Sequence, residues 1–450
     1  MKKYSAFLGC IVLVLGVVSS CKIRKEYVSP ALQESSSFST LTTDTLALAD
    51  VSWWEFFNDS TLTKLIAQGM DNNLPLKNIT VAIRQAQLQL DIAKAQLYPA
   101  INYTIRGESS TNSISPSLSN SIAPAAQVSY TVDVWGRIAN QNEAALQAYL
   151  ATEMAVFEVK ATLVAQLAEL YFTLRDIDNK IEISEQMLVS MQEFEQIMEE
   201  RYSGGFISKV DVNQISISVK DIEVTIQALV RARKQLENAI SIALGNVPQQ
   251  IPRGKKLQEQ IFPSELPTGV PAGLLRRRPS ILRSEILLKA QLAQLGAAES
   301  FQYPNFEIGL NVGAELLNPM AVFGSLFGNL TGPIFNAKRI KNTISLQEEQ
   351  YNRVALDYQQ SYLLAYGEVE DALIAIKTYQ EEVAIRSKQL ALAQEAYDLA
   401  WVRYNEGATS FLEFLNVQSS LLGVQLSASE SYKSQLQSVV QLYLALGGGW

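Results

Sequence analysis

Apolar residues follow two different periods along this chain. From Ile340 to Val383 they advance by threes, fours and sevens: Ile340, Ile344, Tyr351, Val354, Tyr358, Tyr362, Val369, Leu373, Ile376, Tyr379 and Val383. That spacing predicts a helix with a single apolar seam of coiled-coil type. Elsewhere the period is two. Ile101, Tyr103 and Ile105 alternate with Asn102, Thr104 and Arg106; Val128, Tyr130, Val132 and Val134 alternate with Gln127, Ser129, Thr131 and Asp133. Phe306, Ile308, Leu310 and Val312 alternate with Glu307, Gly309, Asn311 and Gly313, and a fourth, glycine-rich segment lies around 325–335. Segments of roughly ten alternating residues suit strands with one apolar and one polar face, as in a transmembrane barrel. A soluble sandwich is the alternative for such strands. The smallest outer-membrane barrels need eight strands, so four strands of this type point to several copies that each contribute four.

The chain is also written twice. Arg201-Tyr202-Ser203-Gly204-Gly205-Phe206-Ile207-Ser208 is echoed at an offset of 202 by Arg403-Tyr404-Asn405-Glu406-Gly407-Ala408-Thr409-Ser410. The match runs on through Asp211 with Glu413 and Gln214 with Asn416 to Ala243-Leu244-Gly245 with Ala445-Leu446-Gly447. Upstream, Tyr98-Pro99 matches Tyr303-Pro304, and Val134-Trp135-Gly136-Arg137 loosely matches Ile334-Phe335 with Arg339. Generic helix-turn-helix similarity would not reproduce the turn residues as well as the apolar ones.

No proline occurs from Ala125 to Val247 or after Pro333, as long helices require. The reading assigns strands to about 100–112 and 124–135, a long helix to about 137–203 and a return helix to about 209–244, all within a first repeat, 76–245. The second repeat, 276–447, has strands at about 304–315 and 325–335, a long helix at about 339–406 and a return helix at about 411–446. A helix of that length, about 100 Å, must lie along others like it, and Gly204-Gly205 and Glu406-Gly407 break the two at the same relative point. Two long antiparallel hairpins result. Residues 246–275 form a proline-rich linker, 448–450 a tail, and Ser109–Pro124 an exposed strand-to-strand loop rich in Ser and Asn. Residues 21–75 hold an irregular stretch and a short helix that opens at Trp53 and runs through about Asn73.

Composition narrows the function. Charged residues are 18% and the net charge is −8 with pI near 5.0, which disfavours nucleic acid as a partner. There is no histidine, which removes Ser-His-Asp and Cys-His arrangements and His-ligated zinc. With only two cysteines and no Gly-rich phosphate loop, the pattern is that of a non-enzyme with no cofactor and no bound metal. Lys2 and Lys3, the apolar run Ala6 to Val18 and then Ser19-Ser20-Cys21 read as a signal peptide over residues 1–20. The run is too short for a membrane span. The ending Val18-Ser19-Ser20-Cys21 resembles the lipobox of bacterial lipoproteins, against the alternative of an ordinary signal that ends near a cysteine. That resemblance implies a thioether-linked diacylglycerol on Cys21 and an N-acyl chain such as palmitate, and Lys22 after the cysteine leans towards the outer membrane.

Several motifs together are specific. Trp53-Trp54-Glu55-Phe56-Phe57 with Leu62-Thr63-Lys64-Leu65-Ile66, Asp133-Val134-Trp135-Gly136-Arg137, Leu274-Leu275-Arg276-Arg277-Arg278-Pro279, the paired Arg-Tyr-x-x-Gly-x-x-Ser turns and the ending Ala445-Leu446-Gly447-Gly448-Gly449-Trp450 resemble the TolC family of outer membrane efflux proteins, in its acylated, NodT-like branch. The resemblance spans about 22–450 and implies a mainly α fold with β: a homotrimer in which four strands per protomer form one twelve-stranded outer-membrane barrel, continued by a coiled-coil helical tunnel through the periplasm. It implies a passive exit duct of a tripartite pump, lipid-anchored in outer membrane lipids. Its partners would be a periplasmic adaptor (membrane fusion) protein and an inner-membrane transporter of RND type. Carried over residue by residue, Arg201, Tyr202, Gly205, Ser208, Arg403, Tyr404, Gly407 and Ser410 would meet the adaptor. Gly and Ser at these places also have a purely local explanation, since tight turns need left-handed backbone and helices need N-caps. Leu412 and Asn416 would narrow the tunnel, with Glu413 and Asp211 as further constriction candidates. Asn416 and Ser419 replace the family's acidic and basic residues there, and Ser280 replaces its usual Asp, so a charged lock is not expected. A lipid-anchored periplasmic coiled-coil protein without a pore is the competing function, and the four alternating strands are the feature it would not need.

Overall fold

The structure, a computed structural model, describes residues 26–32, 52–111, 118–260, 272–317 and 321–448. The signal segment, Cys21, most of 21–51, part of the linker, and Gly449 and Trp450 lie outside the described residues. In chain order the elements are α1 (Trp53–Phe56), α2 (Ser60–Asn72), α3 (Leu74–Ala95), β1 (Ala100–Thr111), β2 (Leu118–Val132), α4 (Arg137–Ser203), α5 (Lys209–Ala243), α6 (Pro279–Glu299), β3 (Asn305–Glu315), β4 (Ala321–Thr331), α7 (Arg339–Asn405) and α8 (Phe411–Ala445). The two long helices have 67 residues each and the two return helices 35 each. Among the described residues no helix is long and apolar enough to cross a membrane.

Two compact units form, and neither coincides with a repeat. Of the described residues, those within Met1–Leu32, Val81–Ala155 and Ser280–Ser361 fall in one unit, and those within Gln33–Thr80, Val156–Pro279 and Tyr362–Trp450 in the other. Each therefore draws on both halves of the sequence.

The first unit contains one antiparallel meander, β1-β2-β3-β4, with β1 and β4 at its edges. Residues directly opposite in an antiparallel ladder share a face. One row across the sheet is Ile101, Val128, Leu310 and Leu326; the next residue along gives Asn102, Gln127, Asn311 and Ser325. One face is thus apolar and the other polar. The apolar face is uncovered: Tyr103 is 83% exposed and Leu326 84%.

Three sequence expectations need correction. First, β2 begins at Leu118, so Ser109–Pro124 is largely strand, with β1 reaching Thr111. Pro124 marks a gap in the pairing of β2 with β3. The Ile122 carbonyl accepts from Leu316 N–H, so even-numbered residues of β2 aim towards β3, and the continuous ladder to β3 ends at Ala125–Gly313. Pro124 therefore faces β3 with no N–H to donate; the ladder is interrupted there and pairing resumes at Leu316 and Ile122. Second, β4 starts at Ala321 and ends at Thr331, where 325–335 was expected, and two aromatic residues interrupt its alternation. Phe323 and Phe327 stand opposite Gly313 and Gly309 on the polar face. A Cβ on Gly309 would lie 2.3 Å from the Phe327 ring, and one on Gly313 2.6 Å from that of Phe323. The rings fit only because those residues have no side chain.

Third, the helix opening at Trp53 does not continue to Asn73. It stops at Phe56, and Asp59 starts a new helix by accepting from the Thr61 and Leu62 amides at 2.8 and 3.3 Å. The periodicity reading also assigns no element to 74–95 or 279–299, where α3 and α6 lie. Their starts carry ordinary signals: the Asn73 side chain accepts from Leu76 N–H at 2.9 Å, and Pro279 occupies the first turn of α6.

The second unit joins the two hairpins side by side. Helix α8 runs antiparallel to α4 as well as to α7. Asn179 donates to Ser429 at 2.9 Å, Lys180 pairs with Asp176 at 2.7 Å and with Glu430, and Gln437 donates to the Glu169 carbonyl at 3.2 Å. Ser431 donates to Glu382 on α7 at 2.7 Å. The expected seam of α7 is observed here, with Tyr362, Val369, Leu373 and Ile376 buried.

Asp59, 2% exposed, is the hub of this unit's buried polar network. Besides its two capping bonds it accepts from Tyr171 Oη at 3.0 Å, Lys255 N–H at 3.1 Å and Gln260 Nε2 at 2.8 Å. Burial works to raise its pKa, but the bonds from Gln260, the Thr61 amide, Tyr171 and the Leu62 amide outweigh it and hold the carboxyl below its ordinary value. The sign follows: this stability is present above the ordinary carboxylate pKa of about 4 and is lost as pH falls through the lower folded value. Asp59→Ala should cost about 3 kcal/mol by leaving several buried donors unmatched. Thermal unfolding monitored by circular dichroism at pH 7 checks this; a melting temperature equal to wild type would show that the network is not structural.

Candidate functional site

Two places collect the residues singled out in the sequence: the turns joining each hairpin, and the sheet. Both turns have the same construction. After α4, Phe206 N–H donates to the Arg201 carbonyl and Gly205 N–H to that of Tyr202, each at 2.9 Å. After α7, Ala408 N–H donates to Arg403 at 2.8 Å and Gly407 N–H to Tyr404 at 3.0 Å. These paired bonds define a Schellman end, which requires left-handed backbone at its glycine. Gly205 has φ +78° and Gly407 φ +70°. A Cβ at either would meet nothing within 4 Å, so a side chain there is strained by about 1 kcal/mol but projects into open space.

The return helices start on the predicted serines. Ser208 Oγ accepts from Asp211 N–H at 3.3 Å, and the Asp211 carboxylate accepts from Ser208 N–H at 3.1 Å and from its hydroxyl at 2.8 Å. This is a closed capping box. Ser410 Oγ accepts from Glu413 N–H at 3.2 Å. Asp211 is therefore engaged at its own helix start. Leu412, Glu413 and Asn416 are exposed on α8, and Leu412 and Asn416, one turn apart, share a face.

The structure brings the two turns together. The Arg201 guanidinium lies 5.3 Å from the centre of the Tyr404 ring, a cation–π contact, and Tyr404 Oη donates to Met198 Sδ at 3.0 Å. Beneath them lies an aromatic cluster that sequence reading missed. Phe194 packs against Trp401, Tyr404, Phe411 and Phe414 with ring centres 5.0–5.7 Å apart. Met187, Met191, Ile215 and Val219 complete the core. Phe411, Phe414 and Leu415 carry the i, i+3, i+4 spacing that could have shown it. The repeats have also diverged: Tyr202 is exposed with Lys209 Nζ 5.2 Å from its ring centre, whereas Tyr404 is buried. Arg403 reaches back to the Ala408 carbonyl at 3.4 Å. Phe206 is 83% exposed where the second turn has Ala408. Cys21 lies outside the described residues.

In the sheet, a two-faced meander with two free edges and an uncovered apolar face defines a fragment of a larger membrane-facing wall. Comparison with known proteins gives that class a family. The family model for outer membrane efflux proteins matches twice, over residues 65–246 and 270–448. The chain is 29% identical to the probable efflux pump outer membrane protein TtgC of Pseudomonas putida, covering 96% of this chain and 94% of the relative. It is 26% identical to the cation efflux system protein CusC of Escherichia coli O157:H7, covering 98% of both. A solved structure of CusC, described in terms of folding and transmembrane channel formation, superposes with a TM-score of 0.87 at 25% identity over 95% of this chain and all of that one. The chain belongs to the outer membrane efflux protein family.

Proposed function

We propose that this protein is the outer-membrane exit duct of a tripartite efflux pump, working as a homotrimer and carrying out no chemical reaction. The observation that carries the proposal is the four-stranded sheet, apolar on one face and polar on the other, with β1 and β4 unpaired at its edges. A lipid-facing wall needs those two faces, and no edge can remain open in a bilayer. Three copies would close twelve strands, with the four-helix hairpin pairs continuing the duct into the periplasm. A periplasmic adaptor would meet the turns at Arg201–Ser208 and Arg403–Ser410, and an inner-membrane transporter of RND type would supply the energy. Cys21 would carry the lipid anchor.

Purified protein should run as a heat-modifiable trimer and conduct ions in planar bilayers. A monomer without conductance would favour the periplasmic scaffold instead. The resting conductance should be low, set by rings of Leu412 and Asn416, and unchanged between about pH 5 and 8, where Asn has nothing to titrate. Asn416→Asp should add cation preference and a pH response. A pH-dependent wild-type channel that loses this dependence in Glu413→Gln would move the constriction to Glu413.

The tip is tested separately. Gly205→Glu with Gly407→Glu should block export while trimers persist, because both side chains enter open space on the surface assigned to the adaptor. Normal export in cells carrying the double variant would take the turns out of the mechanism. For the anchor, mass spectrometry of the purified wild-type chain should find Cys21 N-terminal and acylated; a free thiol on Cys21 in a cleaved chain would remove the lipid.

A further inference from the structure

The internal repeat makes one contact within the chain and leaves its twin unmade. Just after β2, Trp135 stacks on Tyr303, ring centres 4.6 Å apart and planes 21° apart, and its Nε1–H donates to the Pro304 carbonyl at 2.8 Å. Tyr303 and Pro304 lead into β3, the strand beside β2. The repeat maps Trp135 onto Phe335, just after β4, and Tyr303-Pro304 onto Tyr98-Pro99, just before β1. Yet β4 and β1 are the two edges of the sheet. Both halves of the second contact are accordingly bare: Phe335 is 87% exposed, its neighbour Ile334 fully so, and Tyr98 71%.

Backbone strain supports the same conclusion independently. In the first repeat a single left-handed glycine, Gly136 with φ +77°, links Trp135 to the start of α4 at Arg137. In the second repeat the link to Arg339 is two residues longer and holds Ala337 at φ +48° and Lys338 at φ +66°. These are the only non-glycine residues with positive φ among those described. Left-handed backbone is costly for residues with a Cβ, and here it accompanies two large apolar side chains left in solvent.

We propose that Phe335 of one copy stacks on Tyr98 and Pro99 of the next copy, as Trp135 stacks on Tyr303 and Pro304 within one chain. The inference deepens the trimeric duct reading and rests on it. The contact is head-to-tail: β4 of each copy meets β1 of its neighbour, so the same contact recurs around a closing ring. It differs from its twin in one respect. Phe335 has no N–H, so the indole bond to a proline carbonyl has no counterpart and the intermolecular contact is purely apolar.

The test is cross-linking of the full chain in detergent with a short bis-maleimide. Phe335→Cys combined with Tyr98→Cys should give dimer- and trimer-sized bands on a denaturing gel. Trp135→Cys with Tyr303→Cys should stay at monomer size, because that pair lies within one chain. Light scattering reports assembly separately. A trimeric mass with no ladder from the Phe335/Tyr98 pair overturns the contact and leaves the duct standing; a monomeric mass for the wild-type chain overturns both. A ladder of equal strength from either single cysteine variant also overturns the contact. Should the double variant alone not assemble, heating of SDS-resistant trimers decides. Phe335→Ala should lower their dissociation temperature and Phe335→Tyr should not, while equal temperatures in all three proteins would overturn the proposal.

Discussion

An apolar stripe drawn along 67 residues cannot be buried by any compact core, and the rest of this molecule answers that constraint. A helix of such length hides its seam only against other helices that run beside it. The chain supplies them by doubling: α5 returns along α4, α8 returns along α7, and α8 also lies along α4 through Asn179, Lys180 and Glu169. Several of the side chains at these junctions are polar. Ser429 donates to Asp176, Gln437 to Thr173 and Ser431 to Glu382, so register along the bundle is specified by hydrogen bonds while burial supplies the attraction. Near the turns the balance reverses. There Phe194, Trp401, Phe411 and Phe414 fill the space with rings.

The same doubling explains why the compact units cut across the repeats. Each repeat contributes a strand pair and a helix hairpin, and neither is stable alone. Two strands are a marginal sheet, and a single hairpin leaves half of its seam in water. Strands from both repeats pair as β2 and β3, and helices from both pack as α4 and α8. Asp59 then ties an N-terminal helix to Tyr171, Lys255 and Gln260, joining segments from before, inside and after the first hairpin.

Features set by near neighbours were legible in the sequence. The turns at Gly205 and Gly407 and the caps at Ser208 and Ser410 follow from four or five consecutive residues, and the structure places them as read. The alternation of β1 and β3 was equally plain. What failed depends on residues far away along the chain. Phe323 and Phe327 disturb the pattern of β4 because Gly313 and Gly309 lie across from them. Pro124 reads as loop until the pairing partners show the strand running on past its missing N–H, with Leu316 bonded to the Ile122 carbonyl. Asp59 looks like any helix cap, since its other partners are 112, 196 and 201 residues away. Phe194 stands out only once Trp401 and Phe414 have folded around it.

The phenylalanine–glycine pairs on the polar face have an evolutionary corollary. At 309 any side chain collides with the Phe327 ring and also, at 2.5 Å, with the Val128 carbonyl of β2, so a smaller residue at 327 would not by itself free 309. The same holds for 313 with 323. Glycine is held at both positions by the backbone of the neighbouring strand as well as by the rings, so each phenylalanine lies over a site that must stay glycine. Among relatives of this chain, replacement of glycine should be rarest at these two positions, whatever residue stands across at 327 or 323.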